Sequence, residues 1–277
     1  MKSAVLAALA FSLLPATLTA QNGFFDHWES RVNATSAKQP SWPIPVIAPS
    51  SQLVQLMRFD VLRQITPTHT DTVNIDNGKG LNLIPFANTE IDICLPPLIL
   101  HNNDKVVDGT GDFSVVYKYR PFKSPSEAHN YSLGGQVLFT VPTGSYKNGT
   151  AVSTIQPTLM GGKGYKRFAV QSAIGGVLPN SSVPAIGRTI SWNTTAQYKV
   201  GKIFWPEIES NSSFYHLGPN NGKSQNFVSP GLMISKFKFS KDPKNRLALI
   251  LGGSVQIATS TYHAYNHALV FTSRFAF

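Results

Sequence analysis

Near the C-terminus, polar and apolar residues alternate with a period of two. His267, Leu269, Phe271, Ser273, Phe275 and Phe277 fall on one face, and Ala268, Val270, Thr272, Arg274 and Ala276 on the other. This is the spacing of a β-strand with one largely apolar side. The same rhythm runs through Leu247, Leu249, Leu251, Val255 and Ile257, through Phe113, Val115, Tyr117 and Tyr119, and through Ile190, Trp192, Ala196 and Tyr198. Clusters of Gly, Asn, Asp and Pro separate the segments. The pattern predicts twelve strands, near 53–64, 80–86, 89–99, 111–122, 131–142, 151–162, 166–179, 187–199, 202–214, 226–239, 246–259 and 265–277.

Alternation fits two architectures. In a soluble secreted β-sandwich binding protein the apolar faces meet each other; in a transmembrane barrel they face lipid and the polar faces line the lumen. The connections favour the barrel. An even strand number puts both termini on one side, and the connections on the far side form the longer class. The set 65–79, 100–110, 143–150, 180–186, 215–225 and 260–264 averages about nine residues, and the set 87–88, 123–130, 163–165, 200–201 and 240–245 about four. Aromatics also flank the shorter set, as an interfacial girdle does: Phe122 with Tyr131, Tyr165 with Phe168, Tyr198 with Phe204, then Phe239 and Phe277.

Composition supports a turn-rich β protein outside the usual soluble range. Charged residues are 14% of the 277 and aromatics 11%, against about 25% charged in an average soluble chain. Residues 1–20 carry Lys2, an apolar run from Ala4 to Leu14, Pro15 and small residues up to Ala20, which predicts a signal peptide cleaved after Ala20. After it no run of 18 apolar residues occurs, so a membrane-embedded form has to be a closed barrel. Residues 21–50, with Pro40, Pro43, Pro45 and Pro49, predict an extended, weakly structured leader without a helix. The barrel domain is then 51–277.

The single cysteine, Cys94, rules out an intramolecular disulfide and suits a buried strand thiol. The net charge of +10 is dispersed, not gathered in a run, and export argues against nucleic acid, so a charged interior or an anionic membrane surface is the better reading. Six Asn-x-Ser/Thr sites are expected by chance in a chain so rich in these residues.

Two segments carry a resemblance. Gly111-Asp112-Phe113-Ser114-Val115-Val116-Tyr117-Lys118-Tyr119-Arg120 and Val137-Leu138-Phe139-Thr140-Val141-Pro142-Thr143-Gly144 look like two strands of the outer-membrane β-barrel family associated with the meta pathway of phenol degradation, which is transporter- or porin-like. In layout the likeness runs over residues 50 to 277. It implies an exported barrel and transport of hydrophobic or aromatic compounds, and it fixes no functional residue. The last strand, with Leu269, Phe271, Phe275 and Phe277, also resembles the general outer-membrane sorting signal.

Charges that face a lumen must pair or meet water. A register placing Glu90 beside Arg120 and Asp92 beside Lys118 makes a lumen charge ladder, to which Arg274 belongs. Arg58, Asp60, Glu207 and Glu209 are candidates for the same interior, and Lys236 and Lys238 make their wall basic. Solvating and stiffening the lumen is their first role, and selection of solutes the second. No nucleophile elbow, phosphate loop or dinucleotide fingerprint is present. His263 and His267 share a face only on a helix, and a turn is expected there, so neither metal nor cofactor is expected, and no enzyme.

The sequence therefore predicts an all-β protein: an antiparallel transmembrane β-barrel of about 12 strands, within 10 to 14. It is read as a passive carrier or binder of small solutes in the outer membrane of a Gram-negative cell, reached through a cleaved signal. Its expected partners are outer-membrane lipid, the barrel-assembly machinery and an unidentified small solute.

Overall fold

The computed structural model describes residues 22–68, 70–125, 129–240 and 246–277; the expected signal peptide lies outside them. The strand segments are β1 (Leu56–Ile65), β2 (Asp71–Asp76), β3 (Gly80–Leu83), β4 (Thr89–Cys94), β5 (Leu98–His101), β6 (Gly109–Thr110), β7 (Phe113–Ser124), β8 (Tyr131–Val141), β9 (Thr154–Tyr165), β10 (Phe168–Pro179), β11 (Arg188–Tyr198), β12 (Phe204–His216), β13 (Ser224–Lys238), β14 (Ala248–Ala258) and β15 (His267–Ala276). Each is antiparallel to its neighbours, and β15 pairs with β1 from Leu56↔Ala276 to Ile65↔His267. The sheet thereby closes on itself and leaves no edge, which is the condition for strands in lipid.

Three staves of the ring are each built from two segments, β2 with β3, β4 with β5 and β6 with β7, so the antiparallel barrel has twelve. The first break follows from Asp76, Asn77 and Gly78, which sit in the left-handed region at φ 75°, 48° and 63°. The second falls at Pro96 and Pro97, which have no N–H to give to a ladder.

Side chains sort as lipid and lumen require. On β15 Leu269, Phe271 and Phe275 point outward and are exposed, while Ala268, Thr272 and Arg274 point inward and are buried. Phe122, Tyr131, Tyr165, Phe168, Tyr198, Phe204, Phe239 and Phe277 are all exposed at the end that carries the C-terminus. A sandwich would bury these rings against a second sheet, and here one sheet closes on itself, so the β-sandwich alternative is overturned.

Three departures from the sequence reading concern the elements that precede β3. Residues 65–79, expected as an outer loop, contain β2, which pairs with β1 and β5. Only Val73 and Ile75 of its six residues are apolar, on a face they share with Asp71, and so short an apolar face set among Thr, Asn and Asp reads as a loop. Residues 53–55, expected in the first strand, precede it.

The third difference is helix α1 (Asn22–Ser36), where no helix was expected. Its inner stripe is short: Val32 and Thr35 are buried, and Trp28 donates from Nε1 to Gln55 Oε1 at 2.8 Å. Arg31 Nε donates to the Ile84 carbonyl at 3.2 Å, fixing the helix at the barrel end near the termini. Pro40 stops any continuation.

Phe271→Arg puts a charge in the middle of β15 on the lipid side. It should destabilise the folded barrel by roughly 2–4 kcal/mol, measured by urea unfolding in lipid vesicles. An unchanged midpoint would mean that this face does not meet lipid.

Candidate functional site: a chain segment inside the lumen

Residues 37–55 do not stand before the barrel. They run inside it, and Pro40, Trp42, Pro45, Val46, Ala48 and Ser50–Leu53 are buried. An extended segment with no ladder partner must still satisfy its backbone groups. Pro40, Pro43, Pro45 and Pro49 reduce the task because they carry no N–H.

Three successive donors at the centre meet carboxylates. Val46 N–H donates to Glu207 Oε1 at 2.8 Å, Ile47 N–H to Glu209 Oε1 at 2.9 Å and Ala48 N–H to Glu209 Oε2 at 2.7 Å. Both glutamates lie on inward positions of β12 and are buried. Each is steadied from β11, Glu207 by Gln197 Nε2 at 2.6 Å and Glu209 by Thr195 Oγ1 at 3.2 Å.

Carbonyls of the same stretch meet cations. Arg274 donates from Nη1 to Ile44 O at 2.9 Å and from Nη2 to Pro45 O at 2.6 Å. Arg58 Nη2 donates to Val46 O at 2.6 Å and is paired with Asp60 at 2.7 Å. Gln171 Nε2 reaches Pro43 O at 3.1 Å. Such charge-assisted bonds in a water-poor interior are among the stronger polar contacts a protein makes.

Trp42 is the apolar anchor. Its ring lies against two glycines of β9: a Cβ on Gly162 would come within 2.9 Å of Trp42 Cζ2, and one on Gly164 within 2.9 Å of Cζ3. Around it cluster Val46, Ala169, Trp205 and Met233. Trp205, Met233, Leu62 and Val270 occupy inward positions although they are apolar, and their buried cluster with Trp42 and Val46 accounts for it.

The charge residues singled out from sequence are placed as follows. Glu90 faces Lys118 directly, with Lys118 Nζ 2.6 Å from Glu90 Oε1. Asp92 lies opposite Val116, and among the described residues no carboxylate pairs with Arg120, whose Nη1 donates to Gln39 of the lumen segment. The register is thus two residues from the expected one. A two-residue slip keeps every side chain on its face, so a period-two pattern is blind to it. Glu90 also accepts from Val54 N–H, and Lys118 reaches Gln52 O at 3.4 Å, so this pair too holds the lumen segment. Leu269, Phe271, Phe275 and Phe277 stay on the outer surface.

At the far end, Tyr265 from the loop 259–266 stacks on Phe227 with ring centroids 4.4 Å apart and donates to Gln256 Oε1 at 3.0 Å. His263 sits in that loop within 2.8 Å of Ser260 O and 3.0 Å of Asn266 Oδ1. Near the terminal end, a cavity of about 500 Å³ remains between α1, the lumen segment and the wall from the β11–β12 turn to β15.

The sequence matches no protein-family model and no curated protein. Among solved structures the chain is similar to the COG4313 outer membrane channel from Pseudomonas putida F1, with a TM-score of 0.58 and 13% identity over 83% of this chain and 100% of that one. A second likeness, to the outer membrane channel DcaP of Acinetobacter baumannii, has a TM-score of 0.35 and 7% identity over 80% of this chain and 96% of that one, too low to support an argument. The first likeness agrees with the closed antiparallel barrel.

If Trp42 and the glycine slot form one contact, their losses should not add. Trp42→Ala should lower stability by about 3–5 kcal/mol, and Gly162→Ala, whose added methyl meets the ring before any other atom, should lower it by displacing the ring. The double variant should be little worse than Trp42→Ala alone. Heat-modifiable gel migration across a urea series measures all three, and full additivity would contradict the contact.

Proposed function

We propose that this chain is an outer-membrane channel through which small solutes pass without energy input, and that residues 37–55 hold its lumen closed. The observation that carries this reading is the way the segment is held. Its centre hangs on hydrogen bonds to Glu207, Glu209, Arg58 and Arg274, and such contacts can be exchanged for water. A twelve-stave barrel is wide enough to matter: it lies between barrels filled by side chains and the open porins of 16–18 strands.

The exposed apolar belt, the aromatic rim and the fold likeness support an outer-membrane address. Export with cleavage after Ala20, and insertion by the barrel-assembly machinery acting on the C-terminal strand, belong to the same reading. So does a non-enzymatic role. The resemblance to the phenol meta-pathway family points to hydrophobic or aromatic solutes, and Trp42, Leu53, Trp205 and Ile250 give the cavity an apolar side suited to them.

Planar-bilayer recording tests the proposal. The native chain should give small, intermittent currents. Glu207→Ala with Glu209→Ala leaves three backbone N–H groups unpaired, at about 1–3 kcal/mol each, and should lengthen the open events. Deletion of residues 22–50 should give steady conductance several-fold higher. A deletion variant that retains heat-modifiable migration yet conducts no more than the native chain would overturn the proposal.

A further inference from the structure

The cavity of about 500 Å³ has an uneven lining. One side is apolar, with Trp42, Leu53, Trp205 and Ile250. The other is basic: Lys199 and Lys202 come from the turn between β11 and β12, Lys236 and Lys238 from β13, and Arg246 from the approach to β14. Among the described residues no carboxylate stands within 4 Å of the four lysines, and Arg246 reaches Glu29 at only 3.9 Å. Lys199 Nζ lies 5.7 Å from the centre of the Trp205 ring, joining the two sides.

The inward aim of two of these lysines is built into the wall. Leu232 and Phe237 face outward and are exposed. Unbroken alternation from Leu232 would carry Lys236 and Lys238 into lipid. Instead the β13–β14 register shifts between Ile234 and Phe237, and Lys236 takes φ 24°. The bulge sends Phe237 and Phe239 outward and Lys236 and Lys238 to the cavity. Such a conformation is unfavourable for a residue with a side chain, and bulges commonly serve to re-aim side chains at functional places.

Clustered cations of one sign repel, and a bound negative charge relieves that repulsion. The volume lies within the roughly 300–1,000 Å³ usual for small-molecule sites. We propose that this cavity is a binding site for a small organic anion, its negative group among Lys199, Lys202, Lys236 and Lys238 and its apolar body against Trp42 and Trp205. The assignment rests on the reading of the lumen as a solute path and names the class of solute.

Calorimetric titration of the full chain in nonionic detergent at fixed ionic strength tests it, with hexanoate as the probe and neutral hexanamide as its isostere. Hexanoate should bind saturably, and hexanamide at least about tenfold more weakly. Lys236→Gln with Lys238→Gln should weaken hexanoate by about tenfold and leave hexanamide unchanged. Lys202→Gln, on a turn, should act in the same direction with a smaller loss and serves if the double variant loses heat-modifiable migration. Equal binding of the two probes, or hexanoate binding indifferent to the lysines, would overturn the site. The conductance test is scored separately. A pore opened by deletion without hexanoate binding keeps the channel and removes the anion site; binding without conductance does the reverse.

Discussion

Glu207 and Glu209, two positions apart on one strand, take the backbone N–H groups of three successive residues, Val46, Ile47 and Ala48. Much of the interior depends on this contact. With lipid on its outer surface, the barrel turns its apolar side chains outward and keeps polar ones within, so it cannot fill its centre as a soluble protein does. Buried charges there are tolerable only when hydrogen-bonded. The chain supplies the partners itself: the amides of residues 46–48 meet carboxylates, and the carbonyls of residues 44–46 meet Arg274 and Arg58. One stretch of backbone is thus bracketed by both signs of charge, and each side satisfies the other.

The prolines become intelligible in the same terms. A lumen offers no sheet edge, and every extra N–H in it would need another acceptor, so a segment poor in N–H groups is the easiest to enclose. Trp42 then adds what hydrogen bonds lack, a ring fitted to Gly162 and Gly164 and packed with Trp205 and Met233. The remaining space lies near the terminal end, where Lys199, Lys236 and their neighbours line it. Trp205 and Arg274 thus serve both, packing against or bonding the lumen segment and lining this space.

The barrel was legible in the sequence because lipid and lumen demand opposite chemistry at alternating positions. Leu269, Phe271 and Phe275 against Ala268, Thr272 and Arg274 show it on one strand. What escaped lacked that contrast. β2 has only Val73 and Ile75 to mark its apolar face, α1 has a stripe of only a few buried residues, and the pairing of Glu90 with Lys118 differs from the expected one by a slip that preserves every face. The lumen segment was misread because prolines suggest an unattached leader. One sign of it was present: Leu62, Trp205, Met233 and Val270 sit at inward positions where water would be a poor neighbour, and something apolar had to cover them.

The central claim is that residues 46–48 are tied to the wall in the resting protein, and amide hydrogen exchange of the folded chain in detergent reads this directly. If Val46, Ile47 and Ala48 donate to Glu207 and Glu209, their amides should exchange as slowly as those of the neighbouring β12 ladder. Exchange at the rate of an unstructured peptide would show that the segment does not occupy the lumen, and would contradict the account.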